Sequence, residues 1–271
     1  MNNLPKAIIQ FLLKYLAKIY LWLAKPYVIV ISGTTGRFWI KEKIVEALQE
    51  RNLRIRTSRK NFNAEIGLPL SILDIPSGQR SFSKWLKVMW IAAKKLFESF
   101  KKANREWVSE YLILEMAIDK PEDMEYLLSI ARPNFLILTT ITMVYQENFE
   151  SLDEIAKEFQ ILAKALPWNG VMVLNNDDER VKNLAQFHDG RVITYGFDNE
   201  AQFRAFEVRK NDSGQKFKME IKGKESRVEN IEVKRFGRHH IYAELVKEIV
   251  KENFKERQQE FFGKILDMGK E

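Results

Sequence analysis

The chain has 271 residues, 45% hydrophobic and 30% charged, which excludes wholesale disorder and leaves enough length for a packed core. It has no cysteine and three histidines, so disulfides, thiolate metal sites and thiol catalysis are excluded, and a histidine-rich metal site is not expected. A net charge of +7 favours an anionic partner: a membrane surface, nucleic acid or phosphate. Residues 4–24 (LPKAIIQFLLKYLAKIYLWLA) predict a helix with lysines on one side, ended by Pro26. Lys6, Lys14, Lys18 and Lys25 interrupt it, so no charge-free run reaches the roughly 18 residues of a membrane span. Without a small-residue cleavage site no signal peptide is expected either, and the expectation is an intracellular protein.

Residues 27–32 (YVIVIS) predict a buried strand, followed by Gly33-Thr34-Thr35-Gly36 and a helical pattern, IKEKIVEALQERN. Further apolar runs at 111–117, 135–141, 170–178 and 191–197 alternate with helical patterns such as 121–131 and 151–166. That alternation predicts crossover units and a mainly parallel sheet. From 200 to 236 the pattern changes to period-two segments between turn signals, which predicts a small antiparallel meander. A last helix begins near His240 and runs into a charged tail. The expected organisation is a basic helix over 1–26, an α/β domain over 27–250 with a basic helical insertion at 81–107, and a charged helical tail over 251–271.

The strand–Gly-x-x-Gly–helix unit at 28–48 has the form of a phosphate loop. Glycines turn backbone N–H groups inward, and a helix N-terminus favours anions. The full motif continues with Lys and Ser/Thr, whereas this chain has Arg37 and Phe38, followed by Trp39. A tight turn that needs glycine is the other reading.

Eight segments arrive in one order: GTTG before a helix with KEKI, NFNAEIGLPLSIL (61–73), LILEMAIDKPED (112–123), RPNFLILTTIT (132–142), FESLDEIAKEF (149–159), LPWNGVMVLNNDDERV (166–181), ITYGFDNEAQFRAFEV (193–208) and FGRHHIYAEL (236–245). Together, over about residues 27–247, they resemble the central ATP-binding domain of the Mur ligases of peptidoglycan synthesis, and within that family the branch adding D-alanyl-D-alanine. The resemblance implies a three-layer α/β fold with phosphate-loop topology, a mainly parallel sheet, a small antiparallel meander and an N-terminal amphipathic helix. It implies ATP and magnesium as cofactors. It also implies an N-terminal UDP-sugar domain and a C-terminal Rossmann-like domain. Here a basic helix stands before the loop and only about two dozen residues follow the last family segment, so the chain reads as truncated.

The resemblance assigns the family lysine to Arg37 and the magnesium-binding hydroxyl to Phe38, which cannot ligate a metal. Gly33, Thr34, Thr35, Gly36 and Arg37 read as a weak phosphate cradle, or as a relic loop with Phe38 and Trp39 packed inward. Glu115 stands at the family's metal-binding carboxylate, and otherwise reads as a capping or salt-bridged acid. Tyr145 stands for a family histidine ligand and Phe159 for a lysine that supports the second magnesium, with Lys157 nearby but out of register. Asn61, Asn63 and Glu65 match a segment by the substrate cleft, or serve a tight loop. Asn175, Asp177 and Asp178 match the segment near the nucleotide base, and Asp178 equally suits a helix cap. His239 matches a Gly-Arg-His run, with His240 where the family has Asn; the pair reads as an adenine contact, or as cap and core.

The family reaction makes an acyl phosphate from ATP and a carboxylate, and an amine then displaces phosphate. It depends on magnesium-linked charge neutralisation. Four departures at that machinery lead to the expectation of a catalytically degenerate Mur-ligase-like protein of cell-wall synthesis, binding nucleotide weakly or serving as a scaffold. The alternative is an active ATP-dependent ligase using Arg37 and Glu115, completed by a partner chain.

Residues 82–105 place Trp85, Met89, Ala92, Leu96 and Phe100 on one helical stripe, with Lys84, Lys87, Lys94, Lys95, Lys101, Lys102 and Arg105 against one acid, Glu98. This helix and 4–24 suit an anionic membrane surface on the cytoplasmic side, or a cell-wall synthesis protein, or pack on each other with lysines in water. Nucleic acid is not expected, because the aromatics follow the apolar stripe.

Overall fold

A computed structural model describes residues 3–57, 64–78, 82–103, 111–144, 147–223 and 226–268, which form two compact units. The first comprises 1–37 and 54–193, the second 38–53 and 194–271.

In chain order the elements are α1 (Asn3–Ala24), β1 (Tyr27–Ser32), α2 (Arg37–Gln49), β2 (Ile55–Thr57), α3 (Gly67–Leu73), α4 (Phe82–Ala103), β3 (Tyr111–Glu115), α5 (Asp123–Leu128), β4 (Phe135–Leu138), α6 (Leu152–Lys164), β5 (Val171–Asn175), α7 (Glu179–Lys182), a 3-10 turn (Asn183–Phe187), β6 (Arg191–Gly196), β7 (Phe203–Asn211), β8 (Gly214–Ile221), β9 (Arg227–Val233) and α8 (Arg238–Met268). The apolar runs became strands: the first over its full length at 27–32, the others shorter than their runs by one to four residues. β2 and α3 were not among the expected elements. Three and seven residues are too short to set a period.

In the first unit the strands lie parallel in the order β2-β3-β1-β4-β5. Ile29, Val30 and Ile31 of β1 are fully buried, as expected of a strand covered on both faces. Full burial of each contributes about 1.5–3 kcal/mol. Ile155, Phe159 and Leu162 of α6 are buried at helical spacing, and the Ser151 side chain caps the helix by accepting from the Glu154 N–H. Glu158, also buried, accepts from the backbone N–H groups of Glu122 and Met124, both at 2.9 Å, and so fixes the start of α5.

α1 packs on α3 and α4, burying Ile9, Leu13, Ala17 and Tyr20. In α4 the expected stripe is buried at Trp85 and Ala92 and half-buried at Met89 and Leu96; the Phe100 side chain lies outside the described residues. By length and composition alone, α1 is the candidate for a membrane-crossing helix among the described residues. Ala7–Ala24 has a mean hydropathy of 1.4 and is long and apolar enough to cross a membrane, despite Lys14 and Lys18. A charge-free run was too strict a criterion, because two lysines among large aliphatic and aromatic residues leave the window apolar.

In the second unit the end of β6 pairs parallel with β7, and β7, β8 and β9 form the antiparallel meander. The Asn211 side chain accepts from Ser213 N–H in the first turn. α2 and α8 are joined by a ladder in which Lys43 meets Glu244 at 2.7 Å, Lys247 meets Glu46 and Glu50, and Lys251 meets Glu50.

Candidate functional site

The connection leaving β1 leads to β2 on one side of the first unit's sheet, whereas the connection leaving its neighbour β3 leads to β4 on the other. In open parallel sheets, ligands bind beyond the carboxyl ends of the strands at such a point. Three segments meet there: Gly33–Arg37 after β1, Glu115 ending β3, and Thr139–Thr142 after β4.

Gly33 has φ +117°, and a Cβ there would lie 2.1 Å from Thr139 Oγ1 and 3.0 Å from its backbone nitrogen. Only glycine lets the two loops approach so closely. Gly36 has φ +83° and opens onto free space. Thr34 is stitched to the β4 loop. Its N–H donates to the Thr140 carbonyl at 2.8 Å, and its hydroxyl accepts from Thr142 N–H at 2.9 Å. The Thr35 hydroxyl shares a 2.8 Å bond with Thr140 Oγ1.

The Arg37 guanidinium folds back over the loop. Its Nη1 donates to the Gly33 carbonyl, and its Nε stands 3.8 Å from Glu115 Oε2. Glu115 is buried, and a carboxylate removed from water requires such a countercharge. Arg37 supplies it here. Phe38 is 44% exposed, which corrects the picture of a relic loop with Phe38 turned inward. At the first turn of α2, Phe38 makes an edge contact with Trp39, their ring centroids 4.8 Å apart.

Phe159 is fully buried, and Lys157 on the same helix is exposed. Tyr145, Asn61 and Asn63 lie outside the described residues. Glu65 accepts from Gln10 Nε2 at 2.5 Å and from Lys120 Nζ at 2.9 Å. Asn175 is buried and its Oδ1 accepts from Asp177 N–H. Asp178 caps α7 by accepting from the Arg180 and Val181 N–H groups, and its second oxygen accepts from Ile141 N–H at 2.8 Å. Asp178 therefore fastens the β4 loop from the side opposite Thr34.

His239 and His240 belong to the second unit, where they form an aromatic cluster with Trp39. The Trp39 ring stacks on His239 at 5.8 Å and meets His240 edge-on at 4.4 Å. The Arg235 guanidinium lies over the Trp39 ring. His240 is buried, and its pKa is lowered to about 4, first by burial, then by electrostatic repulsion from its neighbours His239, Arg235 and Lys43. It is a neutral ring at pH 7.

The residues present do not fit magnesium. Phe38 offers no donor, Arg37 faces Glu115, and no cluster of three or more His, Asp or Glu among the described residues is arranged to hold a metal. An anion suits the loop better, with open space at Gly36 and the Arg37 cation beside it. Thr140 and Thr142, which engage both loop threonines, were not foreseen. The only signal was the threonine-rich run after an apolar strand.

Residues 92–246 match the Mur ligase middle domain family. The UDP-N-acetylmuramoyl-tripeptide–D-alanyl-D-alanine ligase of Buchnera aphidicola is 25% identical over 225 residues, 80% of this chain and 42% of that protein. The ligase of the same name from Mycobacterium tuberculosis is 31% identical over 144 residues, 53% of this chain and 26% of that one. Among solved structures, the MurF ligase of Thermotoga maritima in complex with ADP superposes with a TM-score of 0.69 at 18% identity, over 90% of this chain and 49% of that one. MurF from Acinetobacter baumannii gives 0.66 at 14% identity, over 88% and 45%. These likenesses extend the α/β fold expected from the sequence to solved proteins. The chain spans about four-tenths of the length of the curated relatives that match it over about four-fifths of its own length. With the family match running over more than half of its residues, the chain belongs to the Mur ligase family, through its middle domain.

Proposed function

We propose that this chain is a Mur-ligase-type domain of peptidoglycan-precursor synthesis, on the cytoplasmic side, that binds nucleotide phosphates weakly and does not perform metal-dependent ligation with its own residues. The observation that carries this reading is Arg37, which bonds the Gly33 carbonyl and faces buried Glu115 where the family sets a lysine and a metal-binding carboxylate. The site's negative charge is thus answered by a side chain that cannot dissociate. This chain's residues would contribute the loop backbone and the Arg37 cation as anion donors.

Calorimetric titration with ATP and ADP, each with and without magnesium, tests it. The expected dissociation constant is about 0.1 mM or weaker, roughly 5.5 kcal/mol, and changes less than about threefold with magnesium. A strictly magnesium-dependent constant below about 1 μM, roughly 8 kcal/mol, would overturn the reading. The second reading, an active carboxylate–amine ligase completed by a partner chain, draws on Glu115 standing beside the loop at the end of β3. It requires Arg37 to release Glu115, and predicts that Glu115→Gln abolishes phosphate release from ATP in the assembled complex.

A further inference from the structure

α1 and α4 each carry two apolar stripes, only one of which is buried. On α1, Ile8, Phe11, Leu12, Tyr15, Ile19 and Trp22 follow helical spacing and are all exposed, Phe11 at 60% and Trp22 at 69%. On α4, Leu86, Trp90 and Phe97 recur at spacings of four and seven, the last two exposed at 65% and 63%. Nine of the fifteen exposed large apolar side chains among the described residues lie on these two helices, which pack on each other. A surface helix of a water-soluble domain ordinarily turns a polar face outward.

The charges beside these stripes are nearly all positive. Residues 3–24 contain no Asp or Glu, and Lys18 is exposed. On α4, Lys84, Lys87 and Lys94 are exposed, and the one acid, Glu98, stands 4.0 Å from Lys94. Apolar residues flanked by lysines suit a surface that is hydrocarbon beneath and anionic above. A second copy of the same face would bring lysines against lysines.

We propose that the α1–α4 face docks on an anionic lipid leaflet. The exposed stripes enter the boundary between headgroups and acyl chains, and the lysines reach the lipid phosphates. α1 lies in the interface rather than crossing the bilayer, because Leu13, Ala17 and Tyr20 are fully engaged with the protein interior. Each lysine near the surface contributes about 1 kcal/mol, about fivefold in affinity.

The test is cosedimentation of the full chain with phosphatidylcholine vesicles, with and without phosphatidylglycerol, at low and high salt. Binding to the anionic vesicles is expected to exceed neutral ones by at least about tenfold at low salt, and to fall steeply as screening increases. The K84E/K87E/K94E variant should lose anionic binding. W90S/F97S should lose it as well, and since both side chains are exposed, its circular dichroism and melting should stay those of the parent. Failure of the parent chain to bind anionic vesicles, or equal binding by W90S/F97S, would overturn the proposal. So would vesicle-bound protein that resists alkaline carbonate, which would make α1 a spanning helix, or a lipid-free dimer dispersed by W90S/F97S, which would assign the face to a second copy.

Discussion

The strand ends around β1 and the outer face of α1 and α4 belong to one compact unit, yet they treat their chemical capacity in opposite ways. At the strand ends the groups that could receive a ligand are engaged internally: Thr34 and Thr35 with the β4 loop, Glu115 with Arg37, Asp178 with Ile141. On the helices, large apolar side chains that could be covered are left open. Charged groups in a buried polar site need partners, since a buried unpaired charge costs several kcal/mol. An apolar stripe in water carries a smaller penalty per residue and persists where another surface covers it.

Three variants probe that contrast. The largest effect is expected for Phe159→Lys, which returns the family residue to a position now in the core. Removing the ring and burying an ammonium should cost more than about 4 kcal/mol, seen as loss of the cooperative melt. A folded variant with near-parental stability would show that the space beside Glu158 still accepts a cation. A smaller effect is expected for Arg37→Lys with Phe38→Thr. Replacing the guanidinium by a compact ammonium and supplying a hydroxyl should strengthen ATP binding by about 1 kcal/mol, roughly fivefold. If the double variant folds normally and binds no better, the loop is not shaped to cradle phosphate. The smallest effect is on the open face. Trp90→Ser removes a ring that is 65% exposed and lies 5.7 Å from the Lys94 ammonium, and stability should change by less than about 1 kcal/mol. A larger loss in a denaturant titration would mean that the ring is covered within the protein.

Much of this fold was legible in sequence because buried parallel strands announce themselves as unbroken apolar runs. YVIVIS, YLILE and FLIL become strands with nearly every residue buried. What stayed hidden depends on contacts far apart in the chain. Arg37 and Glu115 were each singled out, but not as partners, because 77 intervening residues separate them and no local spacing relates the two. The second stripes of α1 and α4 were equally obscure. In α1, apolar residues occupy most of the circumference, and periodicity cannot say which half meets α3 and α4. Phe38 was weighed as an inward-packing ring of a relic loop. Its place on the first turn of α2 decides otherwise.

The approach of Gly33 to Thr139 also has a consequence in time. Thr139 N–H donates to the Ser32 carbonyl, Thr34 N–H to the Thr140 carbonyl, and Thr142 N–H to the Thr34 hydroxyl, so amides on both loops hold one another shut. Neither loop can open alone without breaking bonds that belong to the other. Their amides should exchange with solvent deuterium as one cooperative group, at the pace of the β-strands behind them rather than of surface turns.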